Sequence, residues 1–143
     1  MAQPDPALAA AIRDALRDAA EPERAEDMRA YMKSELPFLG VAKPARTAAL
    51  RPVLKGLTLD RPTWEATVRA LYDHAAFREE RYAALALLAA KVGRRWHDPD
   101  LVPLLLGPGW DAVVPIFSVP ALVAFIQPAS TIWGQVALSL GKS

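Results

Sequence analysis

Cysteine is absent from this 143-residue sequence, so disulfide bonds and metal sites built on thiolates are excluded. Histidine is scarce as well, and a zinc site at His74 or His97 would need carboxylates to complete it. The spacing of these two residues suggests no such site, and we interpret both as partly exposed histidines at helix ends or in loops. The sequence therefore predicts neither a bound metal nor another cofactor.

A secretory signal is also missing, because no basic residue precedes Arg13 and the usual basic start is absent. A cysteine-free chain without such a signal is expected in the cytoplasm. The length is that of one domain with a core of its own.

No charged side chain occurs from Ala112 to Gly141, which sets this segment apart from the charged sequence before it. Prolines divide the segment, so no proline-free stretch reaches the ~20 residues of a membrane-spanning helix. We therefore expect a buried or interfacial element here, with membrane insertion as the alternative. The expected organisation is a helical region over residues 1–111 and a divergent, apolar, proline-containing tail over residues 112–143.

Acidic and basic residues balance to a net charge of +1 but are unevenly distributed. Residues 1–35 hold five basic and eight acidic side chains, residues 36–97 hold eleven and five, and residues 98–143 hold one and three. A basic middle is typical of a chain that contacts the phosphates of nucleic acid. An ordinary arginine-rich surface is the alternative, which charge alone does not exclude.

Apolar residues recur with helical spacing along most of the sequence, as in Leu8, Ile12 and Leu16. Successive helices joined by short turns with proline or glycine predict an all-α fold. Pairs of antiparallel helices, roughly 35–45 residues each, are typical of HEAT-like repeats in an α–α superhelix. A plain helical bundle is the alternative. The predicted helices are 6–20, 22–35, 44–57, 61–75, 78–92 and one that begins at Asp98.

Three local features of these helices can be anticipated. Pro52 predicts a kink or a break near Leu50, because proline removes a backbone donor and clashes with the preceding turn. Asp60 predicts an N-cap for the helix that follows it. Residues 78–92 are dense in alanine and leucine around nearly the whole helix, which predicts a central, buried position.

Ordered motifs carry a resemblance to a known family. They are Tyr31-Met32-Lys33, Phe38-Leu39-Gly40 and Pro44-Ala45-Arg46 within residues 28–52, then Leu71-Tyr72-Asp73, Arg78-Glu79 and Tyr82-Ala83-Ala84-Leu85 within residues 71–88, and finally Gly109-Trp110-Asp111. In this order and spacing they resemble AlkD-like DNA alkylation repair proteins, over roughly residues 20–111.

The resemblance implies a curved array of HEAT-like helices whose basic concave face binds alkylated double-stranded DNA. It also implies removal of N3- or N7-alkylated purines by hydrolysis of the glycosidic bond. Tyr31 and Trp110 match aromatic residues that face the lesion, where a ring attracts the cationic base. Lys33, Lys43 and Arg46 are candidate phosphate contacts. The alternatives are a core position for Tyr31, packing on a turn for Trp110, and solvated surface for the three cations.

The catalytic carboxylate that the resemblance implies is missing. In the family it lies one helical turn after the motif tryptophan, where it stabilises the sugar cation and positions water. Here that position holds Val114. Asp111 does not replace it, because its side chain would project about 100° around a helix from Trp110. Val136 likewise stands where the family has an arginine that grips DNA, so we assign no catalytic residue.

Loss of the motif pattern after Asp111 and the early end of the sequence predict a truncated or frameshifted copy of such a repair protein. We hypothesise an alkylpurine DNA glycosylase by descent, with weak or absent base excision. A non-catalytic DNA-binding module and a helical-repeat scaffold for protein partners are the alternatives. The sequence does not predict an oligomeric state.

Overall fold

Five α-helices and a 3₁₀ helix make up the part of the chain that the computed structural model describes, residues 2–96. No strand occurs there, and the prediction of an all-α helical-repeat fold is confirmed. Within the same residues, no helix has the length and apolar character needed to cross a membrane. The elements are α1 (Pro6–Asp18), α2 (Pro22–Met32), α3 (Lys43–Leu54), α4 (Arg61–Asp73), α5 (Arg78–Ala89) and the 3₁₀ helix (Lys91–Trp96).

Proline and aspartate mark the helix starts. Each of α1 to α4 has a proline in its first turn, where the missing N–H has no intrahelical partner to lose. Asp5 caps α1 by accepting a hydrogen bond from the Leu8 amide at 3.0 Å. Asp60 caps α4 as predicted, accepting from the Thr63 amide at 2.8 Å. Hydrogen bonds from the hydroxyl and the amide of Thr63 lower the pKa of Asp60, because they favour its charged form.

Pro52 does not interrupt its helix, so of the kink or break predicted near Leu50 the break is wrong. α3 is one helix from Lys43 to Leu54, and Pro52 lies inside it. The proline falls in the last turn, and the residue whose carbonyl it leaves without an amide, Ala48, is exposed. Water can therefore hydrate that carbonyl, and the helix continues for two residues past the proline.

α5 lies at the centre of the described helices, as its sequence predicted. It packs against α1, α3, α4 and the 3₁₀ helix. α4 and α5 form an antiparallel pair in which the indole N–H of Trp64 donates to the Leu87 carbonyl at 3.1 Å. In the first turn of α5, Glu79 and Glu80 are also buried, although acidic residues at a helix start are usually solvated. Two carboxylates therefore enter the core and need partners there.

α2 lies at the edge of this arrangement. None of its residues is buried, and only Ala25, Met28 and Met32 pack partly against the core. The helix ends at Met32, since Lys33 adopts a left-handed conformation with φ of 51°. α2 is therefore held mainly by the loop that joins it to α3, residues 33–42.

Candidate functional site

The loop of residues 33–42 folds against the start of α2. The Glu21 amide donates to the Gly40 carbonyl at 3.1 Å, and Gly40 has φ of +87°. A Cβ at this position would overlap the Glu21 carbonyl. Glycine is thus required at position 40 both for its backbone conformation and for the close approach of two backbones.

The carboxylate of Glu79 holds the same loop from the other side. Its Oε1 accepts a hydrogen bond from the Leu39 amide at 2.9 Å, and its Oε2 accepts from the Gly40 and Val41 amides, each at 3.0 Å. The Arg78 amide adds a bond of 2.9 Å to the Pro37 carbonyl. The Phe-Leu-Gly and Arg-Glu motifs, well separated in sequence, are therefore the two halves of one contact.

Tyr82 lies next to this contact and interacts with three residues of the motifs. Phe38 meets its ring edge-on, with 6.5 Å between ring centroids. The guanidinium of Arg46 lies 4.6 Å from the ring centroid, and Nε of Arg78 donates to the Tyr82 hydroxyl at 3.3 Å. Phe38, Arg46 and Arg78 thus form one structural cluster with Tyr82 and Glu79.

Arg46 belongs to this cluster and not to the exposed surface. Its relative exposure is 7%, and burial lowers the pKa of its guanidinium, while Tyr82 and Glu79 act in the opposite direction. A phosphate contact would require the guanidinium to leave the Tyr82 ring. The position of Arg46 therefore does not support the phosphate contact expected from the sequence, and it indicates a supporting role beneath α3.

Tyr31, Lys33 and Lys43 are exposed, unlike Arg46. Tyr31 has 86% of its surface accessible, which excludes the core position considered from the sequence. It lies on α2 beside a shallow depression that Arg24 and Met28 also line. Trp110 and Val114 lie outside the described residues, so their positions relative to Tyr31 stay predictions.

The structure adds Arg51 and Lys55, which the motifs did not identify, to the exposed cation Lys43, which they did. α3 contains no acidic residue, and Lys43 at its start, Arg51 in its last turn and Lys55 just beyond it are exposed. Within residues 2–96 none of these three forms an ion pair, whereas Arg17, Arg24, Arg29 and Arg61 do. The excess of positive charge in the middle of the sequence was the signal that could have identified Arg51 and Lys55.

Lys55, just beyond the end of α3, borders a groove. Lys55 lines it together with Lys91 and Arg95 of the 3₁₀ helix, and apolar residues such as Leu57 and Val92 also line it. In the described part of the chain no acidic side chain lines this groove. The exposed side of α3 and the groove together form what we call the basic surface: Lys43, Arg51, Lys55, Lys91 and Arg95.

Comparison with known proteins gives one match. A family model described as DNA alkylation repair enzyme matches residues 12–106. The match includes the cluster around Glu79 and Tyr82 and ends before the Gly109-Trp110-Asp111 motif. No curated protein and no solved structure matches the chain.

Two glycines with positive φ provide a paired test of the loop geometry. Gly56→Ala should cost about 1–2 kcal/mol of unfolding free energy, because φ is +71° but the added Cβ meets nothing within 4 Å. Gly40→Ala should cost more, because the same backbone strain is joined by overlap with Glu21. Urea unfolding of both variants measures the difference. Equal losses would contradict the close approach at Gly40.

Proposed function

The chain belongs to the DNA alkylation repair enzyme family, and from this premise we propose that it binds duplex DNA carrying N3- or N7-alkylated purines. We further propose that it excises such bases weakly or not at all, because Val114 replaces the carboxylate that the family uses. The observation that carries the binding proposal is the acid-free basic surface of α3 and the adjoining groove.

The basic surface supports a contact with the sugar–phosphate backbone. Exposed cations without acidic partners keep their full charge for an external anion, whereas the ion-paired arginines of α1 and α2 are already compensated. A helix rises about 1.5 Å per residue, so α3 spreads its cations over a length comparable to several successive phosphates. Lys33, in the left-handed turn after α2, adds a further candidate contact.

Tyr31 supports a contact with the damaged base. An aromatic ring that is 86% exposed contributes little to the core, so folding gives no reason for tyrosine at this position. An N-alkylated purine is cationic, and a tyrosine ring attracts such a cation through its π face. We assign Tyr31, together with Trp110, to the lesion, and Lys33 and Lys43 to phosphates.

The proposal of impaired excision rests on the sequence alone, since position 114 lies outside the described residues. Cleavage of the glycosidic bond develops positive charge on the sugar, and a nearby carboxylate stabilises that charge and positions the attacking water. Valine can do neither. The glycosidic bond of a cationic base is already weakened, so such a base can be released slowly without the carboxylate. We therefore propose weak or absent activity. A helical scaffold for protein partners is the competing function.

Duplex binding should weaken steeply with salt. Each phosphate contact contributes about 0.9 to the slope of log affinity against log salt concentration, so Lys43→Ala and Arg51→Ala should each reduce the slope by about that amount. Arg17→Ala is the matched control, because Arg17 is an exposed helical arginine already paired with Asp14. Fluorescence anisotropy with an unmodified duplex measures the slopes. A flat salt response of the unaltered chain would favour the scaffold.

Tyr31 should determine the preference for damaged DNA. Tyr31→Ala should reduce the ratio of affinities for N7-methylguanine and unmodified duplexes by about 2- to 30-fold, the range of a single cation–π contact. Tyr31→Phe keeps the ring and should retain most of the preference. Because the side chain is exposed, neither change should disturb folding. An unchanged ratio in Tyr31→Ala would remove Tyr31 from the site.

Base excision should appear when the carboxylate is restored. The unaltered chain should release little or no base from an N7-methylguanine duplex, and Val114→Asp should raise the rate, by up to the roughly 10²–10³-fold that one such group contributes. Val114→Asn supplies a side chain of similar shape without charge and is the control. Chromatographic measurement of released base follows the reaction. Rapid release by the unaltered chain would contradict the assignment of position 114.

A further inference from the structure

We propose that Glu79 is a positioning residue for DNA binding: its buried carboxylate fixes the loop of residues 33–42 and thereby sets the separation of Lys33 and Lys43. This inference rests on the proposed function, because it concerns two of the cations assigned to phosphates. Neither the family match nor the motif assignment gives Glu79 a role of this kind.

The geometry places Glu79 where it controls the loop. Its side chain has no accessible surface, and its two oxygens accept hydrogen bonds from three consecutive amides, those of Leu39, Gly40 and Val41. Bonds from amides to a charged carboxylate are stronger than bonds between neutral groups. An uncharged side chain of the same shape offers only one acceptor oxygen, so it leaves at least one of the three amides without a full partner.

The held amides lie directly before the exposed cation at the start of α3. Val41 is fully buried, whereas Lys43 is exposed, so the chain leaves the core between these two residues. Glu79 also attracts the buried guanidinium of Arg46, one turn into α3. The carboxylate therefore fixes the backbone directly before Lys43 through its bonds to residues 39–41.

The other end of the loop is tied separately. The Arg29 guanidinium donates to the Ser34 carbonyl at 3.3 Å, and the Ser34 hydroxyl donates to the Leu36 carbonyl at 2.9 Å. These bonds place Lys33 relative to α2, and the Gly40 carbonyl holds the start of α2 through the Glu21 amide. Release of residues 39–41 would therefore shift α2 and Lys33 relative to α3 and Lys43.

Glu80 is a matched control on the same helix. It is 4% exposed, and its carboxylate pairs with Arg13 of α1 at 2.9 Å. Glu80→Gln thus removes a buried carboxylate charge of the same size from the adjacent position, but it disturbs a contact with α1 and not the loop. A general effect of lost stability should appear in both variants, and an effect of loop position only in Glu79→Gln.

The first measurement is amide hydrogen exchange, which needs no DNA. In Glu79→Gln at least one of the amides at residues 39–41 should exchange roughly 5- to 100-fold faster. The amides of the buried residues Leu85 and Leu88, in the second half of α5, report global unfolding and serve to normalise the rates. Glu80→Gln should leave residues 39–41 unchanged after this normalisation. Unchanged protection of all three amides in Glu79→Gln would overturn the proposal.

The second measurement is a mutant cycle on duplex affinity. Lys43→Ala should weaken binding equally in the unaltered and Glu80→Gln backgrounds. In Glu79→Gln it should have less than half that effect on log affinity, and the salt slope should already be lower by about 0.9, the share of one phosphate contact. If Glu79→Gln does not fold, Glu79→Asp takes its place, because it retains the charge with a shorter reach. It should show a smaller reduction of both the Lys43→Ala effect and the salt slope.

The possible results separate this inference from the proposed function. An unchanged salt slope and an undiminished Lys43→Ala effect in Glu79→Gln would overturn the positioning role and leave DNA binding standing. Failure of the unaltered chain to bind duplex DNA at all would overturn both, even if the exchange experiment confirmed that Glu79 holds the loop.

Discussion

The hydrogen bonding between the buried carboxylate of Glu79 and the loop amides is the interaction on which the described structure depends. A charged group in the core is tolerated only if its oxygens find strong donors, and here three successive amides of the loop supply them. The requirement works in both directions, because those amides would otherwise be buried without partners. Glycine at position 40 follows from the same contact, since only glycine allows the loop backbone to approach Glu21 while its amide points to Glu79.

The motif residues fall into two groups, those buried around this contact and those exposed to solvent. Glu79, Tyr82 and Arg46 are buried and support the start of α3 from beneath. Tyr31, Lys33 and Lys43 are exposed and are available to a ligand. Arg46 is 7% exposed and lies over the Tyr82 ring, so an arginine that resembles a surface cation in the sequence contributes to the interior. A motif alone does not distinguish these two uses of a cation.

The sequence predicted the helices well, because their causes are local. Asp60 and the prolines of the first turns mark helix starts, and the alanine- and leucine-rich stretch of α5 indicated its central position. A break at Pro52 was wrongly expected, because the effect of a proline depends on how close the helix end lies and on whether the Ala48 carbonyl reaches water. The burial of Glu79 and Glu80 was missed for a related reason. Adjacent acidic residues at a helix start interact favourably with the helix dipole whether they are exposed or buried. Only their tertiary partners determine whether they are buried.

The peripheral position of α2 has an energetic consequence for recognition. A helix with no buried residue can separate from the core at a much smaller cost than global unfolding. The ring of Tyr31 is therefore presented by the least anchored helix of the described chain. If Tyr31 contacts a base as proposed, its affinity in solution is that of the docked state multiplied by the fraction of molecules in which α2 is docked. A ligand that bridges Tyr31 and α3 would in return fasten α2 to the core, so recognition of a base and consolidation of the fold would be thermodynamically linked.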